Sequence, residues 1–248
     1  MKTIITAAFL LSMAVSQAQE SEKRAVSDFS KIEVSSNIEV VYTESPSSSV
    51  VVFAQAGQLP KVVTEVIDKN LKIYTTSKSD KKIKVVVSGN HVGGFKLRDG
   101  ASIRVTNGLT SEQANISLES DAAFEGQVLS DYVRVNATEG TFFNARIQSK
   151  SICGQFSKDA KVILTGYTGK ARLQTEDSAY CTAKNFVSND LVINAKHDSE
   201  VLAYSDSILS IEVNDRSKVV YKGSPIKLKL SEDAVSRRNK QNTVIALR

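Results

Sequence analysis

Six acids stand out in the sequence because their spacing could do chemistry. Asp99, Asp121, Glu139, Asp159, Asp177 and Asp198 follow one another at intervals of 22, 18, 20, 18 and 21 residues. Carboxylates brought to one edge about 5 Å apart repel, and Ca²⁺ relieves such repulsion with oxygen ligands at about 2.3–2.6 Å. Asp121, Asp159, Asp177 and Asp198 are therefore the calcium candidates. The glycine-rich nonapeptide of calcium-binding β-rolls is missing, however, and an Asp at a tight turn is explained by its bond to its own downstream N–H. Turn formation is the simpler reading, and no metal is expected.

A second constellation is basic. Arg134, Arg146 and Arg172 fall in or beside strand-like runs, near Glu139 and Glu176. An arginine with carboxylates could serve a polysaccharide lyase or hydrolase, and Arg134, Glu139 and Arg172 are the candidate binding residues. Glycoside hydrolysis needs two carboxylates at a set separation. A repeat supplies acids everywhere, so this pattern points weakly to catalysis, and no catalytic residue is assigned. His91 and His197 are far apart and lack ligand spacing. No serine-nucleophile motif or phosphate-binding glycine loop appears, and no cofactor is expected. Cys153 and Cys181 sit in different columns of the repeat, so a Cys153–Cys181 disulfide is not expected despite an oxidising compartment.

The elements that must position these residues are short strands. Seven stretches align on one turn: "DGASIRV", "DAAFEG", "EGTFFNA", "DAKVILTG", "DSAYCTA", "DSEVLAY" and "RSKVVYKG". In each, an acid (Arg216 in the last) is followed by Gly, Ala or Ser and then by an apolar residue. A second alternating run precedes each turn, as in "ANISLES" and "LVINAK". A period near 20 residues built of two strands and a turn marks a solenoid, and the apolar–polar alternation marks strands. The regular Leu spacing of leucine-rich repeats is absent. The expected fold is all-β: a single-stranded right-handed parallel β-helix with coils of about 20 residues stacked about 4.8 Å apart. Phe124, Phe142, Val162, Tyr180, Val201 and Val219 are expected to form one inward column.

The ends differ. Residues 1–18 carry Lys2, an apolar run and Ser16-Gln17-Ala18, the pattern of a secretory signal cleaved after Ala18. The run is shorter than the ~20 residues that span a bilayer, so an exported protein, periplasmic or extracellular, is expected. Residues 19–248 form one β-solenoid domain, with N-terminal strand layers over 26–90, repeat coils over 95–223 and a C-terminal cap over 224–248. In the first part, "DKNLKI" reads as a turn between antiparallel strands. The net charge of +5 is mild, and the basic runs "KSDKKIK" (78–84) and "SRRNK" (236–240) are read as solvated guards rather than nucleic-acid contacts.

The series "FSKIEVSSNIEVVYTES", "VVTEVIDKNLKIYT", the serial turn-and-apolar coils and "VVYKGSP" resembles the "putative auto-transporter adhesin, head GIN domain" family over about Val26 to Ser231. Members often read Ser-Gly-Ala-Ser at the corners, and only "DGAS" (99–102) comes close here. The resemblance implies a secreted or periplasmic β-helical domain of unknown function with an adhesive role, and transfers no catalytic residue. The expected function is a non-catalytic adhesion or envelope-binding scaffold, monomeric or weakly dimeric. Its partner class is a cell-envelope glycan or protein, with no nucleic acid and no membrane span. The alternative is a polysaccharide lyase or glycoside hydrolase on the same scaffold.

Overall fold

The computed structural model describes residues 19–77, 83–231 and 242–247. The leader and the basic segment 236–240 lie outside the described residues, as does most of "KSDKKIK". The chain opens with β1 (Gln19–Arg24), β2 (Lys31–Val34), β3 (Ile38–Glu44) and β4 (Ser49–Gln55). A 3-10 turn at Leu59–Lys61 leads to β5 (Val62–Ile67), β6 (Asn70–Thr75) and β7 (Ile83–Gly89). Then come β8 (Gly94–Leu97), β9 (Ser102–Val105), β10 (Leu109–Leu118), and the long strands β11 (Ala123–Ala137), β12 (Phe142–Phe156), β13 (Lys161–Thr175) and β14 (Tyr180–Ala195). The series closes with β15 (Glu200–Tyr204), β16 (Ile208–Val213), β17 (Lys218–Lys222), β18 (Lys227–Leu230) and β19 (Thr243–Leu247).

From β8 onward the strands stack in parallel as a β-solenoid, the expected fold. Successive coils meet at sharp corners, and each corner is a pair of consecutive residues at positive φ: Asp99-Gly100, Ser120-Asp121, Glu139-Gly140, Lys158-Asp159, Asp177-Ser178, His197-Asp198 and Asp215-Arg216. Two left-handed residues in succession are the type I′ turn, which favours Asp, Asn and Gly. The parallel ladder runs through these turns. The second residue's N–H donates to the first residue's carbonyl in the next coil, as from Asp121 to Glu139 (2.9 Å), Asp159 to Asp177 (3.0 Å) and Asp198 to Asp215 (2.9 Å). Ser36-Asn37 has the same geometry, and Asn37 N–H donates to Asp99 O, which makes it a further corner without an acid.

The registers correct the expected inward column. Phe124 pairs with Phe143, then Val162, Cys181, Val201 and Val219. All six are buried. Phe142 faces outward, 39% exposed, and Tyr180 is half-buried beside Glu200. The aromatic series Tyr42–Phe95–Phe124–Phe143 runs down the core with ring centroids 5.7, 5.8 and 5.3 Å apart. Just past each corner lies a second column of small buried residues: Ala101, Ala122, Thr141, Ala160, Ala179, Ser199 and Ser217. Every side chain in this column is small and buried.

Each long strand also bends. Side chains alternate in and out until two successive residues face outward, at 131–132, 150–151 and 169–170. A buried hydroxyl stabilises this bend by donating to the carbonyl two residues on: Ser130 to Tyr132 O (3.1 Å), Thr168 to Lys170 O (3.2 Å) and Ser188 to Asp190 O (2.9 Å). The stretch from this bend to the corner presents its outward side chains on one surface, called face A below.

The N-terminal strands do not simply precede the coils. β2 lies between β6 and β8, and β3 between β7 and β9, all parallel. The chain thus enters one layer inside the stack, passes outward and returns. At that end β5 pairs antiparallel with β6 through the turn Asp68-Lys69, as "DKNLKI" suggests, and β4 pairs antiparallel with β7. β1 covers β4 with the charged sequence QESEKR, which discourages further edge pairing. At the other end β18 and β19 continue the parallel stack on β16 and β17.

Candidate functional site

Face A carries three outward columns fixed by the strand registers. The middle one reads Asn115, Arg134, Cys153, Arg172, Val192. Nearer the corner runs Asn136, Gln155, Gln174, Asn194, and nearer the bend Tyr132, Ser151, Lys170, Asp190. The amide column is knit together, with Gln155 Nε2 donating to Gln174 Oε1 (3.1 Å) and Asn194 Nδ2 to Glu212 Oε2 (2.9 Å).

Three depressions follow one another over this surface. One of about 540 Å³ is lined by Arg134, Cys153, Arg172, Tyr132, Lys170 and Asp190, among others. A second of about 1050 Å³ shares Arg134 and continues toward the N-terminal coils over Gly94, Lys96, Asn136 and Gln155. A third of about 300 Å³ lies toward the corner over Gln174, Asn194 and Lys196. Asp190 is the one carboxylate lining the 540 Å³ depression.

The structure therefore brings Arg134 and Arg172 together in one column, two coils apart, and leaves Glu139 elsewhere. Glu139 stands at a corner, where it accepts hydrogen bonds from Lys158 Nζ (3.0 Å) and Ser120 Oγ (3.0 Å). Arg146 is in the Gln127–Thr165 row, on the part of the coil before the bend, and Glu176 is on the approach to a corner. Neither Arg134 nor Arg172 has an ion pair or a side-chain hydrogen bond to another described residue. Arg24, Arg98, Arg104 and Arg216 each hold a carboxylate.

The corner acids fall into two adjacent columns rather than one. Asp99, Glu139, Asp177 and Asp215 occupy the first position of their turns, and Asp121, Asp159 and Asp198 the second. Between the acids stand partners of opposite character. His197 reaches Asp177 through Nδ1 (3.2 Å) and Asp215 through Nε2 (3.3 Å), and Arg216 forks onto Asp198 at 2.8 and 2.5 Å. The ladder is thus cross-linked between coils by the His197 imidazole and by the cations Arg216 and Lys158. Among the described residues no group of three or more His, Cys, Asp or Glu is placed to hold a metal ion.

These contacts set the electrostatics. The hydrogen bond from Lys158, with a smaller one from Ser120, holds the Glu139 carboxyl below its ordinary 4.5. Arg216 does the same for Asp198. A carboxylate lowered by folding contributes stability above its unfolded value, and that contribution is lost as pH falls through the folded value. We therefore expect Glu139→Gln to lower Tm slightly above pH 4.5, with the gap closing on further acidification. Thermal melts of both proteins across that range measure it, and a gap that widens in acid would contradict the assignment.

Both cysteines are free thiols. Cys181 belongs to the core column, where burial pushes its thiol up to about 12 and keeps it protonated and inert. Cys153 is half-buried on face A between the two arginines.

Sequence reasoning singled out Arg134 and Arg172 but missed what surrounds them: Tyr132, Lys170 and the amide column. The signal was available, since Asn136, Gln155 and Gln174 recur at 19 residues, as do Arg134, Cys153 and Arg172. It is obscured when the alignment is anchored on the acids.

The whole fold has close structural counterparts. A "putative adhesin" from Parabacteroides merdae superposes with TM-score 0.83 at 14% identity, covering 94% of this chain and 98% of its own. One from Parabacteroides distasonis gives 0.81 at 17%, with coverage of 94% and 98%. A "putative lipid binding protein" from Parabacteroides distasonis gives 0.78 at 16%, with coverage of 93% and 95%. At these identities the likeness establishes the fold alone. No curated protein of described function matches the sequence. Among the described residues no helix is long and apolar enough to cross a membrane. The family model "Putative auto-transporter adhesin, head GIN domain" matches residues 28–225, and the chain belongs to that family.

Proposed function

We propose that this chain is an exported, non-catalytic adhesion or envelope-binding module that holds an extended ligand along face A. The observation that carries this reading is the continuity of the surface. Depressions of about 1050 and 540 Å³ succeed one another along the stack and one of about 300 Å³ flanks the second toward the corner, lined by guanidinium, ammonium and amide groups with Glu33, Glu112, Glu176 and Asp190 among them. Stacked coils create such long surfaces by repetition. Asp190 is the one carboxylate lining the 540 Å³ depression and Glu176 the one lining the 300 Å³ depression. Of Glu33 and Glu112 in the 1050 Å³ depression, Glu33 is engaged by Arg98 and Asn70, which leaves no free pair of carboxylates in one depression of the kind that glycoside hydrolysis uses. An acyl-chain ligand fits less well. It calls for an apolar cavity, whereas the coil interior is filled by side chains such as Phe124, Phe143, Phe156 and Phe186. Export rests on the leader pattern of residues 1–18, and one domain follows it.

The test is incubation with a panel of acidic and neutral polysaccharides, recording co-sedimentation and release of new reducing or unsaturated ends, with and without Ca²⁺. Retention without new ends is expected. Release of ends that disappears in Arg134→Ala or Arg172→Ala would make the protein a lyase or hydrolase.

A further inference from the structure

We propose that face A recognises an acidic polysaccharide laid along the solenoid axis, whose anionic groups recur once per disaccharide and are met by Arg134 and Arg172. This deepens the binding-module reading and rests on it. Of the seven described arginines, four hold carboxylates of their own chain. Two of the remaining three share one outward column, with the short side chain of Cys153 between them. Neither guanidinium is paired with a carboxylate among the described residues, and each is exposed, so it presents its planar fork of donors to solvent. Such a fork matches a carboxylate or sulfate in a bidentate pair.

The spacing selects the ligand. Arg134 and Arg172 are two coils apart, about 9.6 Å at 4.8 Å per coil, close to the length of two sugars in an extended chain. A polymer charged on alternate sugars would place one anion at each arginine. The neighbouring columns suit what lies between the anions. Amides offer both donors and acceptors to hydroxyl groups, and the row Asn136, Gln155, Gln174 supplies one per coil. Tyr132 is 55% exposed and offers an apolar ring face in the same coil as Arg134. Lys170 adds charge beside Arg172, and Asp190 limits it one coil further on.

Cys153 supplies a readout independent of the arginines. It lies in the middle of the contact, while the other described cysteine, Cys181, is fully buried. Iodoacetamide on the native protein should label Cys153 alone. The experiment measures equilibrium binding of the full chain to hyaluronan (one carboxylate per disaccharide), polygalacturonate (one per sugar), dextran (none) and duplex DNA, with the rate of Cys153 alkylation followed in each.

Hyaluronan is expected to bind best and to slow alkylation. Arg134→Ala and Arg172→Ala should each weaken it about tenfold with unchanged melting. The double Lys variant should not restore binding, because a point charge lacks the fork. Equal or tighter binding of DNA or polygalacturonate would overturn the spacing argument and leave only charge. Dextran binding that protects Cys153 and ignores both arginines would overturn this inference but preserve the binding-module reading. Retention of none of these polymers, with Cys153 unprotected, would remove the glycan reading altogether.

Discussion

Gly166→Ala should lose about 3–5 kcal/mol of folding stability. Gly166 sits mid-strand in β13 with φ +102°, and a Cβ built there comes 2.2 Å from the carbonyl oxygen of Ile147 in the previous coil. Ile147, Gly166 and Phe186 are successive members of one column, so the missing side chain lies between two large buried ones. Alanine would meet both the left-handed penalty of about 1–2 kcal/mol and a collision with backbone that itself belongs to the parallel ladder. Gly57→Ala isolates the first of these. It has φ +77° with nothing within 4 Å of its built Cβ, so it should lose only about 1–2 kcal/mol. Urea unfolding of the two variants beside the parent measures the difference. Equal losses would mean that the coils are not packed as closely at Gly166 as the structure places them.

The fold was legible in the sequence because the period is short and the corner chemistry repeats. The phase was not. Anchored on acids, the intervals alternate between long and short, whereas the strand registers from Phe124 to Phe143 to Val162 to Cys181 are a uniform 19. The cause is physical. A type I′ corner has two left-handed positions, and Asp suits either, so evolution has placed the acid at the first in Glu139 and Asp177 and at the second in Asp121 and Asp159. The next step grows by one because β14 carries an extra residue between its pairings with Ile163 and Thr165. The Ser36-Asn37 corner was hidden for the converse reason: it has the turn geometry without the acid.

The same shift decided what could be read of the site. Outward side chains have no packing constraint to mark them, so Arg134 and Arg172 could be found only as arginines near strands. Their common column needs the 19-residue register, since with intervals counted between acids the two residues drift out of line. Glu139 is the clearest case. Five residues after Arg134 it looks like a catalytic neighbour, but the strand is extended there, at about 3.3 Å per residue, and the corner carries it off face A to Lys158.

Phe143→Ala and Phe142→Ala test that phase directly, by one deletion of identical chemistry at adjacent positions. Phe143 is fully buried and stacks on Phe124 with centroids 5.3 Å apart and planes inclined by 17°. Removing it opens a cavity with no side chain able to fill it from the neighbouring coils, and the loss should be about 3–5 kcal/mol. Phe142 is 39% exposed between Ala123 and Lys161, and its removal should cost less than about 1 kcal/mol. The contrast is large because strand side chains alternate, so a slip of one residue exchanges the buried and solvent sets completely. Denaturant titration of both variants reads the difference. If Phe142→Ala were the more damaging, β12 would be shifted by one residue, and Cys153, on the same strand, would turn away from face A. The burial of Phe143 in the core and the place of Cys153 between Arg134 and Arg172 are thus one claim about the register of β12, measurable without knowing the ligand.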